Sequence, residues 1–260
     1  MDHMKPQEHL AHTFAAGAPS HWNTARECAT KTARFAIFAT CVLIGLCPSA
    51  SAQWVQANGP EGGDIRALAV SGTNLFAGSN GGGVYLSTNN GANWTAANSG
   101  LTFSNVSSFA VNGPNILVGT IGAGAFLSTN GGTSWSQTGL TGGTVNAFAV
   151  SGANLFAGAN DSVFFSTDGG TSWSAASAGL TNGAVFALTV SGTNLYAGTR
   201  NGVYVSTNSG TTWTAANGGL TDTYVNALAF SGSNLFAGTY GGGVFLSTMA
   251  AQAGLLPIQV

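Results

Sequence analysis

The sequence predicts an all-β fold, a β-propeller of about five four-stranded blades closed by pairing strands from the two ends of the chain. Three observations lead there. Tryptophans recur at positions 54, 94, 135, 173 and 213, at spacings of 40, 41, 38 and 40 residues. Between them one phrase returns almost unchanged, as "ALAVSGTNLFAGSNGGGVYLST" (67–88), "AFAVSGANLFAGANDSVFFST" (147–167) and "ALAFSGSNLFAGTYGGGVFLST" (227–248). Each repeat consists of short apolar, β-branched runs cut by Gly, Ser and Asn, with no 3.6-residue period long enough for a helix. Four short strands per 40 residues, repeated, is the pattern of propeller blades.

The elements follow in chain order. Residues 1–52 read as an export signal behind a long leader. A basic "KTAR" (31–34) precedes the apolar run "FAIFATCVLIGLC" (35–47), and Ala50 and Ala52 stand at the small-residue spacing that signal peptidase reads. Thirteen apolar residues are short for a membrane span. The expected mature chain starts at Gln53 and is secreted or periplasmic, with no membrane span once the signal is removed. An uncleaved anchor, or translation starting further along, are the alternatives.

Residues 53–248 are the propeller. Within each repeat "VNALAFS" is the first strand, "NLFAG" the second, "GVFLST" the third, and the fourth begins at the Trp ("WTAAN"). The region opens on a lone fourth strand at Trp54 and stops after a third strand at Thr248. Joining the two completes a fifth blade and removes exposed sheet edges. Residues 249–260, "MAAQAGLLPIQV", read as an irregular tail; a truncated or frameshifted longer propeller is the alternative.

Composition narrows the chemistry. The 260 residues are 44% hydrophobic and 10% aromatic, which argues against disorder despite 39 glycines, and only 5% are charged. All three cysteines and all four histidines precede residue 48. From Gln53 onward the charges are Glu61, Asp64, Asp161, Asp168 and Asp222 against Arg66 and Arg200, with no Lys, His or Cys. A nucleic-acid partner is therefore not expected, since almost nothing could neutralise phosphates. Disulfides are excluded, so a core must supply stability. Ser/His triads, thiol nucleophiles and imidazole metal sites have no residues to build from. No cofactor, no metal and a monomer are expected.

One eight-residue motif accompanies four of the tryptophans: "STNNGANW" (87–94), "STNGGTSW" (128–135), "STDGGTSW" (166–173) and "STNSGTTW" (206–213). Its third position is Asn89, Asn130, Asp168 and Asn208. Asp and Asn share a side-chain oxygen able to accept backbone N–H bonds in a turn. They do not share a charge or a titratable proton, which general acid–base work requires. A Ca²⁺ loop would want several oxygen ligands, and each copy has one carboxylate at most. The position shapes a turn, and Trp94, Trp135, Trp173 and Trp213 are packing anchors for the outer strands.

S-x-[DN]-x-G-x-x-W resembles the Asp-box of bacterial neuraminidase-type repeats, complete in Ser166–Trp173 and with Asn for Asp in three copies. The fifth repeat departs, with Met249 and Gly254 where the motif would continue. The wider repeat resembles photosystem II stability/assembly factor-like propellers, sortilin-type propellers and certain xyloglucanases. A sialidase resemblance would imply an arginine triad and a Tyr–Glu pair; with Arg66 and Arg200 alone the triad cannot be assembled. A xyloglucanase-like glycoside hydrolase needs two carboxylates about 5–10 Å apart, for which Asp64, Asp161 and Asp222 are the candidates.

Propeller strands place the 1–2 and 3–4 turns on one face and the 2–3 and 4–1 loops on the other. The boxes fall on the first face. Glu61, Asp64, Arg66, Asp161, Arg200, Asp222, Tyr224 and Tyr240 fall on the second, where loops on a rigid scaffold carry binding groups. The expected function is a non-catalytic binding module for a protein or glycan, with Arg66 and Arg200 as anchors and the glycoside hydrolase as alternative. A purely structural role for the two arginines would pair Arg66 with Asp64 or Glu61, and Arg200 with Asp161.

Overall fold

The computed structural model describes residues 54–60, 63–181 and 183–248. The expected leader and signal (1–52), Glu61 and the tail (249–260) lie outside these residues. No described helix is long and apolar enough to cross a membrane, and every described regular element is a strand.

The first sheet holds β1 (Asp64–Ser71), β2 (Asn74–Asn80), β3 (Gly83–Ser87) and β4 (Thr95–Ala96), in that spatial order and antiparallel. It forms because the alternating first strand and the "NLFAG" and "GVYLS" runs need partners for their backbones, and two-residue Gly turns bring them back at once. A six-stranded sheet follows, built from β5 (Val106–Asn112), β6 (Asn115–Ser128), β7 (Ser136–Ser151), β8 (Asn154–Ala159), β9 (Val163–Ser166) and β10 (Ser174–Ala175). Next comes a four-stranded sheet of β11 (Val185–Ser191), β12 (Asn194–Thr199), β13 (Gly202–Ser206) and β14 (Thr214–Ala215). The last is a three-stranded sheet of β15 (Val225–Ser231), β16 (Asn234–Thr239) and β17 (Val244–Ser247).

This corrects the expectation of five closed blades. The described residues form four complete blades, and the fifth repeat supplies three strands. The second and third blades are fused into one sheet because β7 runs on through both. Its first half pairs with the end of β6 (Leu127 with Ser136, Ile121 with Thr144), and its second half pairs with β8 (Val145 with Ala159). The connecting "LTGGT" (140–144) and the facing "IGAG" (121–124) are both Gly-rich, which lets two loops lie together as a ribbon. The closure expected at Trp54 is not shown either. Trp54 is 98% exposed and outside any strand, and β17 has β16 as its strand neighbour.

The core lies between neighbouring blades. Phe76 and Val84 pack with Val106, Ile116, Phe126 and Trp135 of the next unit. Phe156 and Val163 pack with Val185, Leu195 and Trp213, and Tyr196 and Val203 with Val225 and Leu235. The Gly of "NLFAG" permits this approach. A Cβ on Gly158 would lie 2.6 Å from Val185 of the following unit, and one on Gly198 would lie 2.8 Å from Val225.

Candidate functional site

The box turns come first because they fix the scaffold. In each copy the box Ser hydroxyl accepts the box Gly N–H at 2.9 Å: Gly91 to Ser87, Gly132 to Ser128, Gly170 to Ser166, Gly210 to Ser206. The same hydroxyl donates to the Asn or Asp oxygen, at 3.0, 2.9, 2.8 and 2.9 Å. That oxygen in turn accepts the N–H four residues on, as Asn93 to Asn89, Ser134 to Asn130, Ser172 to Asp168 and Thr212 to Asn208. One oxygen, from amide or acid, closes the turn. Asp168 adds a bond from the Ser172 hydroxyl at 2.5 Å. That hydroxyl, then the Ser172 N–H and the Ser166 hydroxyl, hold its carboxyl at a pKa of about 2 instead of 3.8.

The tryptophans latch blades unequally. The Trp135 indole N–H donates to the Ala97 carbonyl of the preceding unit at 2.8 Å, and Trp213 donates to Ala176 at 2.7 Å. Trp173 instead donates to Gly170 within its own box. The Trp94 indole nitrogen is buried without a partner among the described residues.

On the opposite face the structure draws part of the expected set together. Tyr224 and Tyr240 stack, ring centroids 5.2 Å apart and planes 19° from parallel. The Arg200 guanidinium carbon lies 5.5 Å from the Tyr224 ring centroid, on an aromatic whose negative face attracts a cation. Phe186 meets Tyr224 from β11, at 5.0 Å. Tyr240 is 77% exposed, so the shelf presents a flat face to solvent.

Asp222 builds this shelf. Its Oδ1 accepts the Tyr224 N–H at 3.0 Å, and its Oδ2 accepts Gly241 N–H at 2.9 Å and Gly242 N–H at 2.6 Å. The Tyr240 N–H donates to the Tyr224 carbonyl at 2.9 Å. The 4–1 loop and the 2–3 loop are thus pinned so that their tyrosines stack. These amides, that of Tyr224 foremost, lower the Asp222 pKa. A general acid needs a raised one, and the three amides its oxygens accept make Asp222 a clamp between the two loops.

The other expected residues lie apart. Arg66 and Asp64 form an ion pair in which two guanidinium nitrogens donate to one carboxylate oxygen, Nη2 to Oδ2 at 2.8 Å and Nε to Oδ2 at 3.0 Å. It is the ion pair among the described residues; the Arg200–Asp161 pairing does not form. Asp161 instead borders an open cleft of about 370 Å³ with Gly142, Gly143 and Asn160.

Phe186 escaped the sequence reading, although a signal was there. Every first strand carries a register shift, between Ile65 and Ala67, Val106 and Ser108, Val145 and Ala147, Val185 and Ala187, Val225 and Ala227. The bulged residue is the position of the strand that changes most in chemical type between copies: Arg66, Ser107, Asn146, Phe186 and Asn226. Bulges re-aim a side chain. Ser107 and Asn146 use theirs to donate to the next unit's carbonyls, Val145 at 2.5 Å and Val185 at 3.0 Å, and Phe186 uses its own to reach Tyr224.

Comparison with known proteins agrees with this architecture. Residues 164–175 match the family model described as BNR/Asp-box repeat. No curated protein matches the chain in sequence. The chain is similar in structure to the extracellular domain of a protein assigned as a one-component system in B. thetaiotaomicron, at TM-score 0.64 and 21% identity over 75% of this chain and 28% of that one. It is similar to an ancestral GH74 enzyme, at TM-score 0.60 and 26% identity over 72% of this chain and 29% of that one. It is also similar to YCF48 from Cyanidioschyzon merolae, at TM-score 0.58 and 17% identity over 75% of this chain and 70% of that one. The chain thus spans under a third of the length of the first two proteins. What it shares with all three is the arrangement: the chain carries the BNR/Asp-box repeat on β-propeller blades.

Proposed function

We propose that this is an exported, non-catalytic binding module that takes an acidic peptide segment of a partner protein on the shelf of Tyr240, Tyr224 and Arg200. The observation that carries the reading is the exposed Tyr240–Tyr224 stack with the Arg200 guanidinium beside it. Stacked rings give flat apolar contact at low entropic cost, and a guanidinium meets carboxylates with paired N–H donors. Arg66, which the sequence also suggested as an anchor, is neutralised by Asp64 and plays a lesser part. A structure of YCF48 bound to D1 peptide supports a protein ligand by analogy of fold. The loop amides that lower the Asp222 pKa make it a poor proton donor for the hydrolase alternative.

The test is a binding screen of the purified chain against labelled acidic and neutral peptides beside a glycan array. Acidic peptides should bind, and Arg200→Ala with Tyr240→Ala should weaken them tenfold or more, about 1.4 kcal/mol. Binding to glycans alone, or a double variant that binds normally, would overturn the reading.

A further inference from the structure

The third unit, made of the second half of β7 with β8, β9 and β10, builds its mouth differently from its siblings. In the other four units the residue that ends the second strand carries a hydroxyl that locks the loop after it. Ser79, Thr120, Thr199 and Thr239 donate to the carbonyls of Gly83, Gly124, Gly202 and Gly243, at 3.3, 2.8, 2.9 and 3.2 Å. Each hydroxyl also accepts a loop N–H, from Gly82, Ala123, Asn201 and Gly242, at 3.1, 3.2, 3.0 and 3.0 Å. The third unit has Ala159 at this place, and no hydroxyl. Its loop is tied by the Ala159 backbone N–H, which donates to the Ser162 carbonyl at 2.8 Å.

The connection facing that loop differs too. Leu101, Leu180 and Leu220 donate N–H to the carbonyls of Asn98, Ser177 and Asn217, at 2.9, 2.9 and 3.0 Å, which folds each of those 4–1 loops into a turn. Leu140 instead donates to the Thr138 hydroxyl at 3.1 Å. The chain then runs on as β7 through Gly142 and Gly143, both at a φ of +70°. Between this extended stretch and the unlocked loop lies the open cleft of about 370 Å³. Leu140, Ala159 and Phe164 give it an apolar lining, of which Leu140 and Ala159 are 6% and 9% exposed. Asn160 and Asp161 border it and are exposed. No cationic side chain lines it.

Asp161 is the one described carboxylate with nothing to hold. Asp64 is paired with Arg66, Asp168 closes its box and Asp222 clamps two loops. Asp161 has no hydrogen-bond or ion-pair partner among the described residues. An apolar slot edged by a single carboxylate is complementary to a long cationic side chain. Its methylenes can lie on the lining while its charged head stays at the wet edge, and a guanidinium fork matches both oxygens of a carboxylate. An anionic ligand would meet like charge there with no cation to offset it. We propose that this cleft is a second binding subsite, separate from the tyrosine shelf, that takes an arginine side chain of a partner protein, with the guanidinium paired to Asp161. Asp161 and Arg200 stand in the 2–3 loops of consecutive units, so the face offers opposite charges side by side. The subsite needs nothing from the shelf.

The test titrates N-acetyl-arginine amide into the isotope-labelled chain and follows backbone amide chemical shifts. Saturable shifts are expected at Gly142, Gly143, Asn160 and Asp161, with binding that weakens as ionic strength rises. N-acetyl-norleucine amide keeps the apolar stem without the charge and should bind about fivefold more weakly, the upper range for an exposed ion pair. Asp161→Asn should bring the arginine probe down to that same level. Arg200→Ala should leave the shifts unchanged, so a failure here is distinguishable from a failure of the shelf. Equal binding of the two probes, or an Asp161→Asn variant that binds the arginine probe as before, would overturn the proposal. So would shifts that vanish with Arg200→Ala, or methyl glucoside binding at the same amides more tightly than the arginine probe.

Discussion

At Ser87, Ser128, Ser166 and Ser206 one hydroxyl accepts one glycine N–H at the same 2.9 Å, whereas on the opposite face the units share only the bonds at the loop base, such as those from the Ser79, Thr120, Thr199 and Thr239 hydroxyls to the facing loop carbonyls, and differ in the charged and aromatic side chains above it. There Arg66 grips Asp64, Asp161 borders a cleft, and Asp222 ties two loops whose tyrosines stack. The box turns repeat because each must satisfy the same buried amide, and a two-atom error leaves it unpaired. The loops carry that obligation only at their base, where the hydroxyls of Ser79, Thr120 and Thr199 are buried; their outer side chains are free of it. Variation gathers where folding does not forbid it, and that is where a ligand can be accommodated.

The largest effect should come from the glycine inside a box. Gly170 has a φ of +93°, and a Cβ there would stand 2.5 Å from Leu117 Cδ2. Gly170→Ala should cost about 3 kcal/mol from backbone strain and overpacking, read as a shifted denaturant midpoint. A loss under about 0.5 kcal/mol would mean that the box face is not the rigid one. Ser166→Ala should cost about 1–2 kcal/mol, because the Gly170 N–H is left unsatisfied in the interior. Neither change should alter ligand affinity.

On the loop face the ordering reverses. Asp222→Asn keeps an acceptor for Tyr224 but presents NH₂ to the Gly241 and Gly242 N–H groups. Affinity should fall several-fold, measured by peptide titration, with the thermal midpoint little changed; unchanged affinity would separate the clamp from the shelf. The folded-state pKa of Asp222 is depressed, so the clamp is intact above the ordinary carboxylate value and is lost as pH falls through the lowered one. Ligand binding should weaken in that acid window.

The smallest effect is expected at Asp168→Asn, under about 0.5 kcal/mol at neutral pH, because three sibling turns already carry Asn. The same variant should remove a pH dependence. Asp168 contributes fully above 3.8 and loses that contribution as pH falls toward 2, a window in which the Asn variant should hold steady.

Much of this was legible in the sequence. The 40-residue period gave the blades because four strands cannot bury a face without a neighbour, and the Asn/Asp exchange at 89, 130, 168 and 208 gave the turn. The fused second and third blades were not legible. "TGGT" and "IGAG" read as two loops, and only their mutual pairing makes them strand. The repeat places Tyr224 and Tyr240 in a 4–1 and a 2–3 loop, but their stacking depends on Asp222 reaching the amides of both loops. Phe186 looked like an ordinary strand residue because a bulge is a register event between two strands, invisible along one.

The unequal tryptophan latches bear on how the array comes apart. In a linear row of repeats, stability divides into terms within units and terms between neighbours. Trp135 ties the first unit to the second and Trp213 ties the third to the fourth, while Trp173 leaves the middle boundary without an indole tie. That boundary is crossed instead by the unbroken run of β7, whose two halves belong to different units. A tear opening there must strip one continuous strand from both sides, so the second and third units should unfold as a single cooperative block.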